Sequence, residues 1–165
     1  MAKESSFDVV STIDMQEVDN AFQQTKKTLA QRYDLKDSGA TIAFDKQGKS
    51  ITIKAPSDFV AGQVVDIMDS KLVKRGIDLA AVKWGASQPA AGQSVTKVAS
   101  LVEGIDKDTA GKINKDIKGL KLKAKVTIEG DKLRVSSASR DTLQEVIAFL
   151  KGQDYGQPLQ YVNYR

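Results

Sequence analysis

AKVTIEGDKLRVSSASRDTLQEVIAFL, residues 124–150, reads as a hairpin followed by a helix, and the chain carries the same pattern twice. Val126 and Ile128 alternate with Lys125 and Thr127. A Gly130-Asp131 turn follows, and then Leu133 and Val135 alternate with Arg134 and Ser136. Alternation of this kind marks strands with one buried face, and Gly-Asp between two such runs marks the turn. Ser139 opens the helix. The earlier copy is TIAFDKQGKSITIKAPSDFVAGQVVDIMDSKL, residues 41–72, in which Ile51 and Ile53 occupy the places of Leu133 and Val135. The interval from Ile51 to Ser57 equals that from Leu133 to Ser139. A repeated strand–turn–strand–helix unit implies duplication, and the fold follows from it.

Working outward, 7–13 (FDVVSTI) predicts a strand and Asp14 a helix cap, with Glu17 completing an Asp-x-x-Glu form of the capping box. Val18, Phe22, Thr25, Leu29 and Tyr33 recur at helical spacing, which predicts one apolar stripe. Pro56 ends the first hairpin and Ser57 caps the next helix, whose Val60, Val64, Ile67, Met68 and Leu72 face inward. Gly76 stops that helix, and 77–84 supplies a short last strand. The order is β-α-β-β-α-β. Residues 85–93, GASQPAAGQ, have the composition of a connector. Strand 95–102, a helix capped by Asp106, the hairpin and helix above, and a closing strand 159–164 repeat the order. The chain is therefore expected to be α+β, two tandem ferredoxin-like domains, with residues 1–92 as the first repeat and 93–165 as the second.

Right-handed crossovers place both helices of such a unit on one face of its antiparallel sheet and leave the other open. In the second copy alternation puts Lys125, Thr127, Lys132, Arg134 and Ser136 on the open face; in the first, Thr41, Ala43, Ser50, Thr52 and Lys54. Only the second set is clearly cationic. Residues 1–92 hold twelve Lys and Arg against twelve Asp and Glu, and 93–165 hold thirteen against nine, so the net charge of +4 lies in the second half. That bias suits a phosphate-bearing partner, although a solvated lysine-rich surface gives the same count.

Several classes of chemistry are excluded or unsupported. The chain has no Cys and no His. Disulfides, thiolate catalysis and iron–sulfur ligation are ruled out, and the commonest zinc ligand and neutral-pH proton shuttle are missing. No metal or cofactor is expected, and no enzyme: no Asp, Glu or Lys set stands at a spacing that singles out a reaction. None of the twelve glycines lies three or five residues from another, so the dinucleotide fingerprint, the Walker loop and the GxxG clamp are all absent. No apolar run approaches the roughly 20 residues of a membrane span, and no targeting core opens the chain; a cytoplasmic location is expected, without membrane contact.

What remains is a binding surface. Ser139-Arg140-Asp141 opens a helix, where Arg140 can fork onto a phosphate beside exposed N–H groups and Ser139 can cap. Tyr161 and Tyr164 are three apart and so point to opposite faces of a regular strand; Arg165 shares a face with Tyr161 and Asn163. An aromatic ring beside Asn and Arg can stack on a base and grip a phosphate. Lys71, Lys74 and Arg75 form a further basic cluster, available to nucleic acid, although cations in a last helical turn are also expected from the macrodipole. The hairpins show no outward aromatics, which argues against base reading of the RNA-recognition-module kind. The candidate nucleotide-binding residues are thus Lys125, Lys132, Arg134, Ser139, Arg140, Tyr161, Tyr164 and Arg165.

The repeat, the FDVVSTID opening, SDF…DIMDSKLVKRGI, SRDTLQEVIAFLKG and the GQPLQYVNYR ending, in this order along nearly the whole chain, resemble the YajQ family of small bacterial proteins. The resemblance implies that the N-terminal strands of the two repeats are exchanged, 95–102 joining the first sheet and 7–13 the second. It also implies a nucleotide-binding role. Purine nucleotides, cyclic di-GMP in some members, and RNA including tRNA are the implied ligands, and a transcription-related protein is an implied partner. It brings no agreed residue-level site.

Overall fold

A computed structural model describes residues 4–165. The elements are β1 (Ser5–Val10), α1 (Met15–Gln31), β2 (Thr41–Asp45), β3 (Ser50–Ala55), α2 (Asp58–Lys74), β4 (Val82–Trp84), β5 (Gln88–Pro89), β6 (Val95–Leu101), α3 (Lys107–Gly119), β7 (Lys125–Glu129), β8 (Lys132–Ser137), α4 (Arg140–Lys151) and β9 (Gln160–Val162). Two antiparallel sheets result. One runs β7-β8-β1-β9 and the other β2-β3-β6-β4, with β5 also on β6. The α+β class with two ferredoxin-like sheets is as expected. In each sheet the strand from the other repeat lies inside: β1 between β8 and β9, β6 between β3 and β4.

The compact units follow the sheets rather than the repeats. One is Ile13–Val102; the other joins Glu103–Arg165 to the segment ending at Thr12. The connector at 85–93 lies within the first of these, where β5 pairs with β6 through Gln88↔Thr96 and Pro89↔Val95.

In the 13–102 unit, Val18, Ala21 and Leu29 of α1 and Val64, Met68 and Leu72 of α2 cover Ile42, Ile51, Ile53 and Ala99. Asp14 caps α1 by accepting from the Gln16 and Glu17 amides, and Ser57 caps α2 through the Val60 amide. The stripe on α1 ends sooner than its spacing predicts. The helix stops at Gln31, and Tyr33 stands 91% exposed in the turn beyond it.

In the other unit, Phe7 and Val9 of β1 pack with Leu133 and Val135 of β8 against Ile113 and Ile117 of α3 and Leu143, Val146 and Leu150 of α4. Asp106 caps α3 at the Thr109 amide. Gly130 takes φ +61° in the β7–β8 turn, a conformation that costs glycine least. Ile128, expected in the core, is 44% exposed; it lies on β7, the outer strand of its sheet, which among the described residues pairs with β8 alone.

The loop before β9 is fastened by side chains. The Tyr155 hydroxyl donates to Asp116 Oδ2 on α3 at 2.7 Å, and Gln157 Nε2 donates to the Gly104 carbonyl at 2.7 Å. Burial and then the Asp116 carboxylate raise the Tyr155 phenol far above its ordinary range. Tyr155→Phe is expected to cost about 1 kcal/mol of stability, read from urea unfolding, without loss of secondary structure.

Candidate functional site

Alternation puts Lys125, Lys132 and Arg134 away from the helices, and the register agrees: Lys125↔Ser136, Thr127↔Arg134 and Glu129↔Lys132. The same face carries Asp8 of β1, which pairs with Arg134 across the strands and is only 1% exposed. Arg134 Nε donates to Asp8 Oδ1 at 3.1 Å, Asn163 Nδ2 donates to Oδ2 at 2.8 Å, and Lys132 Nζ lies 3.5 Å from Oδ2. Arg134 Nη1 also stands 3.5 Å from Glu129. Burial would raise the Asp8 carboxyl; hydrogen bonds from Asn163 and Arg134, with both cations, outweigh it and hold the group below the usual aspartate range. Two of the expected phosphate ligands are therefore engaged by carboxylates. Lys125 is exposed one strand further out, opposite Ser136.

Asp8 escaped the sequence reading. Its signal was present: an acid between Phe7 and Val9, in a strand buried on one face, needs partners on the other.

The C-terminal strand departs from regular alternation. Strand β9 ends at Val162, and Asn163 takes φ +57°, so its side chain turns to Asp8 instead of following Tyr161. Tyr161 pairs with Val9 and packs into the core, its ring edge-on to Phe7 at 6.0 Å. Burial raises its phenol, with the nearby Tyr164 adding to the shift. Tyr161, Asn163 and Arg165 therefore do not share a face, contrary to the spacing. Tyr164 remains 62% exposed, its ring 6.3 Å from that of Phe7. Arg165 is held beside β1 by backbone bonds in both directions with Ser6, at 2.9 and 3.2 Å.

This turn gathers a different set. A cavity of about 290 Å³ is lined by Ser5 and Ser6 of β1, Arg140, Leu143 and Gln144 of α4, and Tyr164 and Arg165. Ser139 caps α4 by accepting from the Thr142 amide at 3.3 Å. Arg140, Arg165 and the exposed Tyr164 thus line one cavity with Leu143 and Gln144 where α4 begins. Arg140, Tyr164 and Arg165 come together from the expected residues; Ser5, Ser6, Leu143 and Gln144 were not foreseen, because β1 reaches α4 through a strand exchange that alternation does not show.

The other basic cluster lies in the 13–102 unit. Lys71 lines a cavity of about 460 Å³ with Arg32, Gln63, Asp66 and Ser70, a mixed-charge lining. Arg75 stands 3.8 Å from Glu17, and Lys74 is exposed. Asp69 accepts from Trp84 Nε1 at 2.9 Å, and burial, with Asp66 nearby, raises its carboxyl. Among the described residues no cluster of acids suits a metal ion, and no helix is long and apolar enough to cross a membrane.

The family model described as "Nucleotide-binding protein YajQ-like" matches residues 5–165. A "Nucleotide-binding protein" of Desulfitobacterium hafniense is 47% identical over 165 residues, all of both chains. Proteins of the same name from Alkaliphilus oremlandii and Chloroherpeton thalassium are 46% and 45% identical, again over the whole of both chains. The chain belongs to the YajQ-like family.

Proposed function

We propose that this chain is a non-enzymatic binding protein for a purine nucleotide, acting as a sensor or adaptor, and that the nucleotide enters the cavity at the start of α4. The convergence of Arg140, Arg165 and Tyr164 in one cavity carries the reading. The phosphates lie against the two guanidinium groups and the first-turn amides of α4, which suit an anion. The base lies on the Tyr164 ring, with the Gln144 amide able to donate to and accept from its edge. At about 290 Å³ the cavity is at the small end of ligand sites, roughly 300–1,000 Å³. It suits a single nucleotide; cyclic di-GMP would lodge one half there and leave the other outside. The family and the relatives' names support a nucleotide as the ligand class. Backbone-dominated RNA binding draws less support from the open face of the β7-β8-β1-β9 sheet, since Asp8 and Glu129 offset Lys132 and Arg134 there.

Calorimetric titration with GTP, ATP, GMP and cyclic di-GMP tests the reading. Arg140→Ala is expected to weaken binding at least about tenfold, and Tyr164→Ala at least about fivefold. Arg134→Ala, measured where the variant is folded, leaves affinity unchanged because that side chain serves Asp8. Absence of heat with every nucleotide sinks the proposal. Affinity for a tRNA that falls steeply with salt, with no mononucleotide binding, would favour RNA instead.

A further inference from the structure

Strand β2 forms an outer edge of the sheet in the 13–102 unit, and among the described residues its one strand neighbour is β3. An outer strand presents N–H and C=O groups of alternate residues to solvent, and natural edges are usually blunted by proline, a bulge or brevity. Strand β2, Thr41–Asp45, has five residues and no proline, and pairs with β3 in unbroken register from Thr41↔Lys54 to Asp45↔Ser50.

Beside this edge lies a cavity of about 370 Å³ whose floor is Leu29, Leu35, Ala40 and Ile42. Its charged lining residues are Lys26 and Lys36, with no acid among them. Each ammonium is held over a ring, Lys26 at 5.4 Å from the Phe22 centroid and Lys36 at 5.8 Å from that of Tyr33. The wall is pre-formed. The Lys36 amide donates to the Arg32 carbonyl at 2.8 Å, Ser38 closes on the Leu35 carbonyl at 2.7 Å, and the Ala40 amide returns to Ser38 Oγ at 3.2 Å. A rigid wall lowers the ordering cost of binding.

We infer that β2 and this groove form a docking site for an extended segment of another protein, one bearing an aliphatic side chain and a carboxylate. The segment pairs its backbone with β2, drops the aliphatic side chain onto Leu29, Leu35 and Ile42, and sets the carboxylate between Lys26 and Lys36. The lysines select an acidic partner by charge complementarity. A second copy of this chain fits poorly. Its own Ile42 is buried and its Phe44 ring lies 6.0 Å from Phe22, so neither side chain is free to fill the groove.

A randomised octapeptide library selected against the full chain tests the assignment. Enriched peptides should combine acidic and aliphatic residues. N-methylation of alternate amides should abolish binding while the intervening ones are tolerated, and amide resonances of Thr41–Asp45 should shift. Lys26→Glu and Lys36→Glu, both at exposed positions, should each weaken the best peptide at least about tenfold. Enrichment no greater than against the double variant, indifference to N-methylation, or self-association through β2 would each overturn it.

Discussion

Residues 13–102, expressed alone, will fold cooperatively, and residues 93–165 will not. The first fragment contains every strand of the β2-β3-β6-β4 sheet and both helices that cover it. The second begins at the repeat boundary and so lacks β1, which lies inside its sheet and pairs with β8 over five positions and with β9 over three. Phe7 and Val9, both fully buried, leave with it. At about 1.5–3 kcal/mol for each side chain, that loss is of the same size as the roughly 3–5 kcal/mol a core this small supplies. Strand β6 would meanwhile have no partner. Far-UV circular dichroism and amide dispersion read the difference, and adding a peptide of residues 4–12 to 93–165 should recover structure. Sharp, dispersed resonances from 93–165 alone would show that the repeat, not the exchanged unit, is what folds.

Local rules made most elements legible. Alternation in the hairpins, Asp and Ser caps and the apolar stripe of α2 each depend on residues a few positions apart, and the structure places Ile51, Ile53, Leu133 and Val135 in the cores accordingly. Strand exchange was not written in periodicity, because a strand's alternation says which side is buried and not which sheet buries it. It entered through the family resemblance. The binding residues were legible in kind and misplaced in grouping. A strand rule applied to 161–165 fails at Asn163, where a positive φ turns the side chain to Asp8, and Tyr164 and Arg165 line the cavity beside α4. On the open face, the cations were visible and the acid on the neighbouring strand, 126 positions from Arg134, was not.

That acid carries the largest point-mutational effect expected. Asp8→Ala removes a carboxylate that accepts from Arg134 and Asn163 and faces Lys132. The cost should be about 2 kcal/mol, short of a fully buried pair because both cations keep about a third of their surface in water. Asp8→Asn retains the shape and loses the charge, so it isolates the electrostatic part. The folded carboxyl lies below the ordinary aspartate value, so on acidification the unfolded chain takes up the proton first. The contribution is complete above the unfolded value, about 3.9, and is lost as pH falls through the depressed folded value. Urea unfolding at neutral pH should therefore separate wild type from Asp8→Asn clearly, and the two should converge toward pH 2. A gap that stays constant over that range would mean that Asp8 acts by packing. Convergence would mean that Asp8 acts by its charge, and that Lys132 and Arg134 serve this acid on the open face.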